Sequence, residues 1–218
     1  MKRYFEPNEA YHEQRYKGFI ADIMRGDDII EIQTRAFNNL RRKLEVFMQD
    51  KNVTVVYPAV RTKWLCWIDP QNGEVTKRRR SPKIGQPYEV FYELYKIKVL
   101  LNNANLKLCV IMVDVEEYRN LDGWSADKKR GSHRAERIPV GIGEKIEIIS
   151  PDDYIKLIPP QLPLEFTSAD FKKASALSIS TAQTALNVLN YVGAVCRTGK
   201  RGNSYIYTRA ADAECSNN

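Results

Sequence analysis

Asp22, Glu31 and Gln33 lie on either side of a short turn, and that spacing can do chemistry. Residues 19–24 read as a strand, 25–28 as a tight turn and 29–34 as the returning strand. Across such a hairpin the Asp22 and Glu31 carboxylates converge. Glu31 and Gln33 are two apart in a strand, so they share a face. Residues 9–17 read as a helix that adds Glu13 as a third carboxylate. Hard oxygen ligands grouped in this way suit Mg²⁺ or Mn²⁺. A metal held there lowers the pKa of a bound water and neutralises charge on a scissile phosphate. Acidic side chains in an apolar hairpin are costly without a cation or partner. A second reading leaves Asp22 and Glu31 as exposed hairpin charges paired with Arg25 or Lys17. Asp27 and Asp28 are read as turn residues.

An acidic residue, a short turn and Glu-x-Lys on the next strand form the signature of the PD-(D/E)xK nuclease superfamily. The first half of this chain resembles it, with Asp22 as the first acid and Glu31-Ile32-Gln33 as the second half. Gln33 stands where most members carry Lys, and Ala21 where the motif's name has Pro. The resemblance implies that Asp22, Glu31 and the backbone carbonyl of Ile32 hold the metal. It implies that Glu13 matches the helix glutamate of resolvase-like members, and that Gln33 orients or activates the attacking water. The helix expected over 37–49 fits the helix that follows the motif strand. The fold implied is α/β, a restriction-endonuclease-like mixed sheet flanked by helices. The same resemblance also allows an inactive scaffold that keeps the fold and lacks the chemistry.

Two basic runs could meet a phosphate backbone: Lys77-Arg78-Arg79-Arg80, and Lys128-Lys129-Arg130 with His133, Arg134 and Arg137. Each alone is also read as solvated charge. After Ile158-Pro159-Pro160-Gln161-Leu162-Pro163 the order becomes helix, helix, hairpin. Thr167-Ser168-Ala169-Asp170 and Ser180-Thr181-Ala182-Gln183 have the form of helix-opening capping boxes. Gly193 ends the second helix. This part resembles a small winged helix-turn-helix domain, with 152–158 as its first helix. By that likeness Thr181, Gln183, Thr184 and Asn187 face the major groove, and Arg197, Lys200 and Arg201 form the wing. Winged helices also serve as protein–protein modules, and this helix carries no Arg or Lys.

The elements that must position these residues follow from pattern. A helix is expected over 88–101, strands over 53–57 and 106–115, and a hairpin over 64–80. Asp114, Glu116 and Glu117 could form a second acidic cluster, although acids opening a helix account for Glu116 and Glu117, and Gly141-Ile142-Gly143 is read as a turn. The domain expectation is 1–150 for the nuclease-like part, 151–210 for the winged helix and 211–218 for a flexible tail. A net charge of +7 is compatible with nucleic acid. No apolar run is long enough to cross a bilayer, and four scattered cysteines with two histidines argue against disulfides and zinc. The expectation is a cytoplasmic, Mg²⁺- or Mn²⁺-dependent nuclease acting on DNA, RNA not excluded, with no membrane partner and a homodimer left open. The alternatives are a non-catalytic DNA-binding regulator and an interaction scaffold.

Overall fold

A computed structural model describes residues 1–121 and 131–212. In chain order it forms α1 (Lys2–Phe5), β1 (His12–Tyr16), β2 (Phe19–Arg25), β3 (Asp28–Ile32), α2 (Arg41–Phe47), β4 (Asn52–Ile68) and β5 (Arg79–Arg80). There follow α3 (Phe91–Leu94), β6 (Leu106–Asn120), β7 (His133–Ile148), α4 (Ser168–Ser175), α5 (Ile179–Tyr191), β8 (Val195–Arg201) and β9 (Ser204–Arg209). The large sheet has the order β1-β2-β3-β4-β6-β7, with β5 also on β4, and β8-β9 pair separately. Neighbours β1-β2 and β2-β3 are antiparallel, whereas β3-β4 are parallel. The architecture is thus a mixed α/β sheet flanked by helices, with a C-terminal helix–helix–hairpin module.

The chain divides into two compact units. The first comprises 1–58, 87–110 and 145–218, the second 59–86 and 111–144. Strands β4, β6 and β7 each contribute residues to both.

In the first unit, α2 buries Leu44 and Phe47, which share one helical face. Parallel pairing of β3 with β4 requires a crossover, and the segment carrying α2 supplies it. The segment 87–100 is helical, but broken by two 3₁₀ stretches and a non-helical Ile97. It buries Phe91 and Leu94. Phe171 of α4 meets Phe91 edge-on at 6.3 Å and Tyr88 at 6.5 Å. Truncating either buried phenylalanine to alanine costs about 3–5 kcal/mol. Helix α5 buries Ala182, Ala185, Leu186, Val188 and Leu189 along one side.

Several local expectations are corrected. Residues 9–17 are not a helix: after a single 3₁₀ turn at Glu9–Tyr11 the chain enters β1. Its side chains alternate between half-buried and exposed, and pairing with β2 across the Lys17-Gly18 turn overrides local helical preference. Lys17 and Gly18 both have positive φ, 45° and 82°, which closes that hairpin. Glu116 and Glu117 lie within β6, and Gly141-Ile142-Gly143 within β7. Segment 151–157 is a 3₁₀ helix. The capping box at Thr167 and Asp170 forms as read, but α5 opens two residues early, with Ser178 as its cap.

Candidate metal and nucleic-acid sites

The β2-β3 register pairs Ile23 with Ile30 and Met24 with Ile29. Continued by one residue, it sets Asp22 opposite Glu31 on the same face. The two carboxylates interlock through the backbone. The Asp22 N–H donates to Glu31 Oε1 at 3.2 Å, and the Ile32 N–H donates to Asp22 Oδ2 at 2.8 Å. Glu31 is buried, at 2% exposure, and Asp22 is half-buried.

Lysines complete the site. Lys43 of α2 places Nζ 2.5 Å from Glu31 Oε2. Lys2 of α1 places Nζ 3.0 Å from both Asp22 Oδ1 and Glu13 Oε1. The alternative of exposed pairs with Arg25 or Lys17 does not hold, because Arg25 lies near Glu6 and Lys17 on Asp50. Three carboxylates therefore face two ammonium groups, leaving one negative charge in excess. Burial pushes the Glu31 carboxyl above the ordinary glutamate range. The Lys43 ammonium opposes that shift, and the Asp22 charge adds to it.

Glu13 joins this row differently from the expectation. It comes from β1 rather than a helix, opposite Asp22 in register, with φ of 52° and a side chain 72% exposed. Gln33 donates its amide to the Arg35 carbonyl at 2.6 Å. Among the described residues no group of three or more His, Cys, Asp or Glu is arranged to hold a metal ion. The donors that converge are the pair Asp22 and Glu31. Two carboxylates with waters and substrate phosphate form an ordinary Mg²⁺ environment. Each of the four carboxylate oxygens already has a protein donor, two of them an ammonium group with which an incoming cation would compete.

Sequence reading missed both lysines. Lys43 stands four residues before Phe47, beside the buried stripe of α2, and its Nζ lies 5.6 Å from the Phe47 ring centroid. That spacing was available as a signal. Nothing local announced Lys2.

The expected nucleic-acid residues scatter. Arg78 is held by Glu116 at 2.8 Å and lies over Trp64. Arg79 and Arg80 are exposed on β5, and Arg134 is exposed on β7. Lys128, Lys129 and Arg130 lie outside the described residues. In the C-terminal module Thr181 bonds its cap Ser178, and Thr184 donates to the Ser180 carbonyl. Asn187 accepts from Lys98 at 2.9 Å. A cleft of about 310 Å³ brings Gln183, Asn187 and Arg197 together. Arg197 and Lys200 lie over the Tyr205 ring at 4.3 and 4.9 Å, and Arg201 is exposed beside them.

Comparison with known proteins adds family but no activity. No helix among the described residues is long and apolar enough to cross a membrane. No solved structure matches the chain. An uncharacterized protein of Treponema pallidum (strain Nichols) is 25% identical over 155 residues. The match covers 71% of this chain and 59% of that protein, so the chain spans about six-tenths of its relative's length. A family match covers residues 1–149, ending just before the proline-rich stretch and including Asp22, Glu31 and Lys43. On that match the chain belongs to the family described as Domain of unknown function (DUF8091).

Proposed function

We propose that this protein is a divalent-metal-dependent nuclease acting on DNA. The observation that carries the reading is the interlocked Asp22–Glu31 pair with Lys43 beside it. The order of elements supports it: three antiparallel strands, a helix, then a strand parallel to the third. Of the order that the resemblance implies, the hairpin and the helix after it are present, while strand β1 stands where the preceding helix was read. The winged-helix reading of residues 151–210 and its role in holding DNA belong to the same proposal.

Asp22 and Glu31 would hold Mg²⁺ or Mn²⁺, and Glu13 would assist from β1. A metal so bound supplies charge neutralisation at the phosphate and a more acidic water. Glu31 is poised by burial to favour a cationic partner. Lys43 provides a positive charge beside Glu31, whereas the sequence motif, with Gln33, carries none. Its ammonium opposes the burial that pushes the Glu31 carboxyl up. Gln33 would have to leave the Arg35 carbonyl to orient a water.

A non-catalytic DNA-binding regulator is the second reading. The C-terminal module favours it, because Arg197 and Lys200 are exposed and have no carboxylate partner among the described residues. The two readings share DNA binding and part on metal. Cleavage of plasmid and branched DNA with Mg²⁺ or Mn²⁺, comparing the wild type with Glu31→Ala, tests the first. Metal-dependent cutting lost in the variant supports the nuclease. Binding without cutting by folded protein transfers the case to the regulator.

A further inference from the structure

The second unit holds a charge cluster that neither the acidic motif nor the winged-helix likeness uses. Glu117 of β6 is fully buried, at 0% exposure. Arg119 sets Nε 2.8 Å and Nη2 2.7 Å from its Oε1. Arg137 of β7 sets Nη2 2.6 Å from its Oε2, and Lys63 of β4 lies 3.6 Å from the same oxygen. Three cations therefore surround one anion. The three basic side chains keep between 19% and 34% of their surface in solvent, so the cluster is reachable from outside.

The excess extends outward. Leu65 pairs with Arg79, and side chains alternate along β4, so Arg79 shares the face of Lys63. Arg79 has no side-chain partner among the described residues. Of the other acids on β6, Asp114 is bound bidentately by Arg61 and Glu116 by Arg78, while Glu136, next to Arg137 on β7, is exposed. The unit carries 13 Lys and Arg against 9 Asp and Glu, so four of the chain's seven net positive charges fall in it. Burial and the two neighbouring guanidinium groups hold the Lys63 ammonium below its ordinary pKa, with Glu117 acting against them. An added anion would relieve that crowding.

We infer that Lys63, Arg119 and Arg137 form a phosphate-binding site for the DNA backbone, with Arg79 at its margin. Glu117 is the internal counter-ion that holds the two guanidinium groups in place. Arg119 and Arg137 each use only part of their five donors on it. The remaining N–H groups are set for oxygens of a phosphodiester, which arginine binds well. The inference rests on the reading of DNA as the partner and names where one of its phosphates sits.

The test is binding of a short labelled duplex by anisotropy, in EDTA, across a salt series. Lys63→Gln and Arg137→Gln are compared with the wild type, and circular dichroism checks the fold. Loss of one phosphate contact lowers the steepness of log K against log salt by about 0.9. Each variant is expected to show that change and an affinity loss of about 3- to 10-fold. Lys63→Gln keeps the test open if Arg137→Gln does not fold, because it leaves both guanidinium contacts to Glu117. Wild-type salt slope in the folded variants would overturn the site and leave DNA binding standing. Absence of duplex binding by the wild type would overturn both. Inorganic phosphate at matched ionic strength is the second arm. Displacement of the duplex by millimolar phosphate, lost in Arg137→Gln, would reassign the site to a small free anion.

Discussion

Glu31 and Glu117 are both buried strand glutamates, and they sit in opposite electrostatic settings. Glu31 has one ammonium group at 2.5 Å and a second carboxylate hydrogen-bonded to the neighbouring backbone. Its pKa is pushed up by burial. Glu117 is just as buried, and burial alone would push it up. Its hydrogen bonds from Arg137 and Arg119, with the charge of Lys63, outweigh burial and hold it at about 2. A buried carboxylate is thus not a site by virtue of burial. The count of neighbouring charges decides what it can do. The region around Glu31 is short of positive charge and suited to take a cation. The region around Glu117 has positive charge to spare and is suited to present it to an anion.

The largest contrast is expected in activity. Asp22→Ala and Glu31→Ala should each lower metal-dependent DNA cleavage by on the order of 10² to 10³, since a metal contributes several kcal/mol to the transition state. Glu117→Ala should leave the rate at saturating DNA within a few-fold. Equal losses in all three, measured on folded protein, would erase the distinction.

Stability reverses the order. Removing Glu117 strands three partly buried cations, so Glu117→Ala should cost about 3–5 kcal/mol in urea unfolding. Glu31→Gln should cost about 1 kcal/mol or less, because burial already works against its charged form. A larger cost for Glu31→Gln would mean that the charged Glu31–Lys43 pair stabilises the fold.

The pH dependence carries the same sign difference. Glu117 has a depressed pKa, so its stabilisation is complete above the unfolded value near 4.5 and is lost as pH falls toward about 2. That loss is about 3 kcal/mol at most. Glu31 has a raised pKa, so its ionisation costs stability as pH rises from 4.5 through its folded value, and protonation relieves that cost. Glu117→Gln should flatten the acid limb of the stability curve, and Glu31→Gln should not. Identical acid limbs in the wild type and Glu117→Gln would contradict the assignment.

The smallest effect is expected at Lys2. Its ammonium stands between Asp22 and Glu13, where it would compete with the proposed cation. Exposed ion pairs contribute about 0–1 kcal/mol, so Lys2→Ala should tighten Mn²⁺ binding by at most about 5-fold. Weaker binding in this variant would show that Lys2 organises the site.

The sequence disclosed the carboxylate pair because its geometry is local. A short turn between strands fixes which residues face each other, and Asp22 and Glu31 needed nothing else. The C-terminal order of helix, helix and hairpin was legible for the same reason, through a capping box and glycines at turns. Glu13 was misplaced because its strand exists only by pairing with β2, and a polar five-residue strand has no apolar alternation to read. Lys2 and the Lys63 and Arg137 partners of Glu117 were missed because they join residues distant in sequence, and Lys43 because its place beside the apolar stripe of α2 does not name Glu31 as its partner. Lys63 and Arg137 reach Glu117 from other strands, at separations that no local pattern encodes. Glu117 itself was misread as a helix-opening acid, since two adjacent glutamates in a strand look solvated until their partners are known.

The central claim is that Asp22 and Glu31 together take one divalent cation. Mn²⁺ binding measured by electron paramagnetic resonance tests it directly, with the wild type set against Asp22→Asn and Glu117→Gln. One bound Mn²⁺ in the wild type and in Glu117→Gln, lost in Asp22→Asn, is the result expected. No bound Mn²⁺ in the wild type, or binding that survives Asp22→Asn unchanged, would contradict the account.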